Sequence, residues 1–162
     1  MCSGAVDIIP DVNNEVCEWS VTTEGATDQN IGVGSCGIDM AFDVWYKFTA
    51  ISNRHIISLS TVFDYWLPGS FIAEIRDGCS GTEIACFSVS YDGGYGELEL
   101  NTLISGDEYY IRLYGSGSSE PSSGSLCIQS PPMEVEDDCI SSEMLIVNGN
   151  VCNNASYDNS LG

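Results

Sequence analysis

Residues 43–50, Asp43-Val44-Trp45-Tyr46-Lys47-Phe48-Thr49-Ala50, set Val44, Tyr46 and Phe48 against Trp45, Lys47 and Thr49. A two-residue alternation of β-branched and aromatic side chains is what a strand with one face on a core requires. The pattern recurs on both sides of this stretch. "HIISLS" begins at His55, and "FIAEIRDG" sets Phe71, Ala73 and Ile75 against Ile72, Glu74 and Arg76. "GELELNTL" and "DEYYIRLYG" follow, the latter with Tyr109, Ile111 and Leu113 on one face, and "GSLCIQS" closes the series at Ser130. Clusters of Gly, Ser, Asn and Asp separate the runs, and no stretch sustains a helical period. The spacing predicts about eight short strands and an all-β, antiparallel two-sheet β-sandwich, jelly-roll-like and stapled by disulfides. The flexible run 115–125, "GSGSSEPSSGS", is expected to be a hairpin loop.

Composition narrows the function classes. The chain carries 24 acidic and 4 basic residues, a formal net charge of −20. Such a surface repels phosphates, and Lys47, Arg54, Arg76 and Arg112 are scattered along the sequence, so no nucleic-acid partner is expected. No stretch approaches the ~18 apolar residues of a membrane helix, so no membrane insertion is expected either. Eight Cys and one His, with no close Cys-x-x-Cys pair, point away from zinc and toward disulfides in an oxidising, extracellular setting. The opening "MCSG" has neither the basic nor the apolar region of an export signal, which is expected elsewhere in a longer protein.

The end of the chain repeats its beginning. Val12-Asn13-Asn14-Glu15-Val16-Cys17 matches Val147-Asn148-Gly149-Asn150-Val151-Cys152 at four of six positions. Cys2 and Cys139 lie 137 residues apart, Cys17 and Cys152 lie 135 apart, and Gly25 and Gly162 return to 137. The expected organisation is a β-sandwich repeat over 1–130, a stiff acidic linker over 131–138 ("PPMEVEDD"), and the first strands of a following repeat over 139–162. Because the second unit holds only Cys139 and Cys152, the simplest pairing joins those two and, by symmetry, Cys2 with Cys17. Cys79 and Cys86 flank "CSGTEIAC" as local partners, leaving Cys36 for Cys127, though other connectivities stay open.

"CSGAVDIIPDVNNEVC", "DVWYKFTA", "FDYWLPGSFIAEIRDGCSGTEIAC", "ELELNTLISGDEYYIRLYG" and "GSLCIQS" together resemble a repeat domain of secreted and cell-surface proteins of Bacteroidetes. That domain is similar to bacterial pre-peptidase C-terminal β-sandwiches. The resemblance covers the whole chain, and the tail "EDDC" matches the start of another copy. It implies a non-catalytic accessory module, often in arrays, exported by the type IX pathway. The chain departs from the family where Phe63-Asp64-Tyr65-Trp66-Leu67 replaces Phe-Asp-Thr-x-Leu, and where "FSVSYDGGYGE" offers only Asp92 in place of paired acids.

The candidate sites follow. His55, the single His, has no nucleophile-elbow motif near it and reads as a surface or partly buried strand residue. Asp39, Asp43, Asp64 and Asp92 lie at strand ends, where loops could gather oxygens around one calcium ion, with Asp64 the leading ligand. Tyr65, Trp66, Tyr91 and Tyr95, with Tyr114, are aromatics near turns that could stack on a polysaccharide, whereas Trp45 is assigned to the core. Met144, Ile146 and Val151 form the apolar face of the orphan tail and are expected to pair with a neighbouring repeat or with another copy of the chain. The leading expectation is a structural and adhesive repeat of a large secreted or surface protein, able to assemble head-to-tail into an array or filament. The alternative is a carbohydrate-binding accessory module of a secreted hydrolase.

Overall fold

Each alternating run forms a strand whose apolar positions share one face. The computed structural model describes residues 2–12, 17–27, 34–36, 43–61, 70–90, 94–115 and 122–131. The chain divides into the units Met1–Pro132 and Met133–Gly162, and every described residue belongs to the first. After a 3-10 turn at Cys2–Gly4 come β1 (Val6–Asp7), β2 (Trp19–Thr22), β3 (Asp43–Thr49), β4 (His55–Thr61) and β5 (Phe71–Arg76). They are followed by β6 (Glu83–Val89), β7 (Tyr95–Leu100), β8 (Glu108–Gly115) and β9 (Ser123–Gln129).

The strands form a five-stranded sheet, β1-β3-β8-β5-β6, and a four-stranded sheet, β2-β9-β4-β7. The expected all-β sandwich is therefore the observed fold, and among the described residues β1 pairs parallel to β3 and Asp11 makes an isolated parallel bridge to Gln129, while the other strand pairs are antiparallel. The core sits between the sheets. Tyr46 and Phe48 of β3, Ile111 and Leu113 of β8 and Phe71, Ala73 and Ile75 of β5 face Ile57 and Leu59 of β4 and Leu126 and Ile128 of β9.

Two segments depart from the sequence expectation. Residues 115–125 do not join a hairpin, because β8 pairs with β3 and β5 in one sheet while β9 pairs with β2 and β4 in the other. Flexible composition indicates a connection but not which sheet the next strand enters. The opening segment also does more than form a local loop. Ile8 N donates to Lys47 O of β3 at 2.8 Å, Asp11 N donates to Ile128 O of β9 at 2.8 Å, and Ser130 N donates to Asp11 O at 2.8 Å. Residues 6–11 thus cross from one sheet to the other, with Ile8 buried in the core along the way.

Among the described residues the disulfides are Cys2–Cys79, Cys17–Cys127 and Cys36–Cys86, with Cα–Cα separations of 5.7, 5.3 and 6.0 Å. This corrects the pairing expected within residues 1–130. Cys2 cannot stay beside Cys17, because the segment between them leaves along β3 and crosses to β9. Cys36 and Cys127 lie on opposite outer faces of the sandwich, whose sheets alone are about 10 Å apart. Cys86 stands three residues inside β6, roughly 10 Å along an extended strand from the turn that carries Cys79, beyond disulfide reach. Cys139 and Cys152 lie outside the described residues.

His55 opens β4 and is fully buried, not partly exposed as expected. Its ring packs 5.5 Å from that of Phe48, and its Nε2 accepts a hydrogen bond from Ile51 N at 3.4 Å. Burial lowers its pKa below the ordinary value by desolvating the charged form. The unfolded chain then takes up a proton near pH 6.5 that the folded chain refuses, so stability is complete above that pH and falls as pH drops through it. The expected slope is at most about 1.4 kcal/mol per pH unit. In urea titrations at pH 7.5, 6.5 and 5.5 the midpoint should fall, and His55→Gln should flatten the trend. An equally steep trend in the variant would assign it to another group.

Candidate functional site

A sandwich has two outward faces, and here they differ in kind. The outer face of the five-stranded sheet is made of the positions opposite the core. They include Asp43, Trp45 and Lys47 on β3, Tyr110, Arg112 and Tyr114 on β8, Ile72, Glu74 and Arg76 on β5, and Cys86 on β6. Solvent would be the usual neighbour of such a face, yet Asp43, Trp45, Ile72, Glu74, Arg112 and Tyr114 are all buried. Two disulfide-anchored segments lie against it. The turn Cys2–Gly4 precedes the edge strand β1 and is joined to Cys79 in the loop beside the opposite edge strand, β6, so the link reaches across the sheet. Residues 34–36 are joined to β6 through Cys36–Cys86, and Ser35 N donates to Glu83 Oε2 at 2.9 Å. Gly34 comes so close that a Cβ there would stand 2.7 Å from Glu74 Cδ, which explains the glycine.

Beneath this cover lies an ionic cluster. Arg112 and Glu74 are each 0 % exposed and stand opposite one another on β8 and β5. Arg112 Nε lies 2.7 Å from Asp43 Oδ2, and Arg112 Nη1 lies 3.5 Å from Glu74 Oε2. Arg76 Nη2 pairs with the other oxygen of Glu74, while its Nη1 donates to Gly81 O at 2.8 Å. Two guanidinium groups thus face two buried carboxylates, and the half-buried Glu83 carboxylate lies beside Glu74 at Gly34. The Arg112 guanidinium lies 5.6 Å from the Trp45 ring centroid and 5.3 Å from that of Tyr114, within cation–π range of both. Burial pushes the Tyr114 hydroxyl up to about 12. Among the described residues, Trp45 Nε1, Tyr114 OH and Asp43 Oδ1 have no hydrogen-bond partner.

These contacts revise several sequence expectations. Trp45 is buried but belongs to the ionic face, not to the core between the sheets. Tyr114 is fully buried and cannot offer a ring to a glycan. Asp43 is taken by Arg112 within the sheet, so it leaves the expected calcium set. Among the described residues no cluster of three or more His, Cys, Asp or Glu side chains could hold a metal ion. Asp39, Asp64 and Asp92 lie outside the described residues, as do Tyr65, Trp66 and Tyr91, and Met144, Ile146 and Val151 of the tail. The four basic residues are not independent surface charges. Arg76 and Arg112 meet at Glu74, Lys47 pairs with Asp7 and Glu108, and Arg54 pairs with Glu99.

The outer face of the four-stranded sheet is open and rich in hydroxyls. Strand pairing aligns Ser20, Ser125, Ser60 and Tyr95 in one row, and Cys127, Ser58 and Glu97 in the next. Tyr95 is 65 % exposed, and its hydroxyl donates to Glu97 Oε2 at 2.5 Å, a bond that raises the phenol's pKa. Ser123 Oγ donates to Thr22 Oγ1 at 3.2 Å on the same face. An aromatic ring fixed beside a carboxylate, with rows of hydroxyls leading away from it, can stack on a sugar and exchange hydrogen bonds with its hydroxyls. Tyr95 was legible in the sequence. The serine rows were not, because they arise only when β2, β9, β4 and β7 are set in register.

No protein-family model matches the chain, and no curated protein matches it. Among solved structures, the pre-peptidase C-terminal domain of a collagenase from Bacillus anthracis is similar over 76 % of this chain and 93 % of its own, with 14 % identity and a TM-score of 0.41. The enzymatically active domain of bacteriophage CBA120 tailspike protein 4 is similar over 69 % of this chain and 18 % of its own, with 6 % identity and a TM-score of 0.38. A family 6 carbohydrate-binding module is similar over 68 % of this chain and 92 % of its own, with 18 % identity and a TM-score of 0.36.

The buried cluster sets a stability expectation. Replacing Arg112 with Met leaves Asp43 buried without its cation and Glu74 with only Arg76. Breaking such a cluster costs about 3–5 kcal/mol. Arg112→Met should lower the unfolding free energy in urea by that order, and adding Asp43→Asn should recover part of the loss. A cost below ~1 kcal/mol would mean that the cluster is dispensable.

Proposed function

We propose that the chain is a non-catalytic, extracellular β-sandwich repeat of a large secreted or surface protein, serving as a structural and adhesive spacer. The observation that carries this reading is the Cys17–Cys127 bridge, which spans a sequence separation of 110. Cys17 precedes β2 and Cys127 lies in the last described strand, so the bridge joins the segment leading into the body of the sandwich to the strand leading out. Tension applied through the flanking segments passes from Cys17 to Cys127 across one covalent bond and bypasses the chain between them. A unit tied in this way resists extension even if its sheets separate, which suits a spacer in an array. The disulfides also suit an oxidising extracellular setting. Calcium held by Asp39, Asp64 and Asp92 stays part of the proposal.

Force spectroscopy tests the spacer role. Pulled through handles fused at its two ends, the oxidised chain should lengthen only by the segments outside the bridge. Reduction with dithiothreitol should release roughly 380 Å more, at about 3.5 Å per residue, whereas Cys17→Ala with Cys127→Ala leaves Cys2–Cys79 in the path and should release only roughly 115 Å. Release of the full length before reduction would sink the proposal.

A second reading, carbohydrate binding, is favoured by the Tyr95–Glu97 pair and the serine rows. The acidic charge of the chain favours a neutral polysaccharide over an anionic one. In affinity electrophoresis through gels containing neutral glucans or xylans, the chain should be retarded and Tyr95→Ala should migrate freely with an unchanged melting temperature. Equal mobility of the two proteins in every gel would leave the spacer role alone.

A further inference from the structure

We infer that Cys139 and Cys152 are the counterparts of Cys2 and Cys17, and that they form disulfides with the counterparts of Cys79 and Cys127 in a following copy of the fold, not with each other. The inference rests on the repeat reading proposed above. It starts from the likeness of the two segments: a Cys, a short apolar run, and Val-Asn-x-x-Val-Cys, at offsets of 137 and 135 residues. What the structure adds is how the first of these segments is used.

Residues 2–25 make no unit of their own. β1 has two residues and β2 has four, and they pair with β3 and β9, strands that come later in the chain. Ile8 and Val21 are buried in a core built by those later strands. The two cysteines behave in the same way. Cys2 is bonded 77 residues downstream and Cys17 110 residues downstream, although each stands only fifteen positions from the other. A segment of this kind cannot bury its apolar face alone, and a short strand pair is marginal in water. The tail carries the same pattern, so it needs the same later strands, and its cysteines need the same later partners. Because the offset is back at 137 by Gly25 and Gly162, those partners fall at positions equivalent to 216 and 264.

A Cys139–Cys152 link implies, by symmetry, a Cys2–Cys17 bridge, and the fold does not make one; the same symmetry now gives Cys139 and Cys152 later partners. Each bridge forms by exchange with a small disulfide such as oxidised glutathione. Two cysteine thiols give up two protons and two electrons, and the small disulfide takes them up to become two thiols.

The decisive experiment extends the chain. Residues 1–162 are followed directly by a second copy of residues 26–131, so that Gly162 stands where Gly25 does. The protein is folded in a glutathione buffer and mapped without reduction. The expected result is no free thiol, with the peptides of Cys139 and Cys152 joined to those of Cys79 and Cys127 in amounts equal to the Cys2–Cys79 and Cys17–Cys127 links. The second unit should resist protease as the first does. A protease-resistant second unit with Cys139 joined to Cys152 overturns the inference and leaves the repeat reading standing. A second unit that stays protease-sensitive overturns the repeat reading and the inference with it.

Discussion

The Arg112 guanidinium, held between Asp43 and Glu74 and flanked by two aromatic rings, is the contact on which the layered architecture depends. An arginine in the middle of a sheet normally requires water on that side. Here the side is closed, and closure is tolerable only because every formal charge beneath it is opposed by another. The cluster in turn dictates what can lie on top. Gly34 is at the contact because the Glu74 carboxylate leaves no room for a side chain. The Cys36–Cys86 and Cys2–Cys79 bridges hold their segments against the same sheet, so the cover does not rely on apolar contact alone. Around Arg112 the five-stranded sheet is therefore packed on both faces, the inner one by hydrocarbon and the outer one by paired charge and aromatic rings.

The opposite sheet is built on another logic. Its inner face carries Ile57, Leu59, Leu126 and Ile128, and its outer face carries serines, Glu97 and Tyr95. Small hydroxyls cost little when solvated and leave a flat surface. Cys17–Cys127 lies on this side, and residues 6–11 connect the two sheets at β3 and β9. The two layers are thus fastened by the opening segment as well as by their common core. These connections between the sheets come from a segment whose regular structure is the two-residue strand β1 alone.

That segment shows where sequence reasoning stopped. The alternation in 43–50, 71–76 and 108–113 identified which residues face the core, because strand geometry places alternate side chains on opposite sides whatever the topology. It also placed Trp45, Ile72, Glu74 and Arg112 together on the other side. Alternation says nothing about whether that side is wet. Trp45 was assigned to the core because a large aromatic is usually buried there; it is buried, but against Arg112 on the far side of the sheet. The serine rows escaped notice because residues 20, 60, 95 and 125 become neighbours only through strand order.

The amino-acid sequence by itself determined the all-β class, the two-sheet sandwich, the inward face of the main strands and the use of cysteine for disulfides. These follow from two-residue periodicity and composition, which are local. Only the tertiary structure decided that β8 and β9 belong to different sheets, that β1 runs parallel to β3, and that each described disulfide is long-range. A bridge requires two cysteine Cα atoms within about 7 Å, and that distance is set by where strands pass in space, not by their spacing along the chain. The same holds for Asp43, which reads as a loop carboxylate in the sequence and becomes the partner of an arginine 69 positions away once β3 lies beside β8.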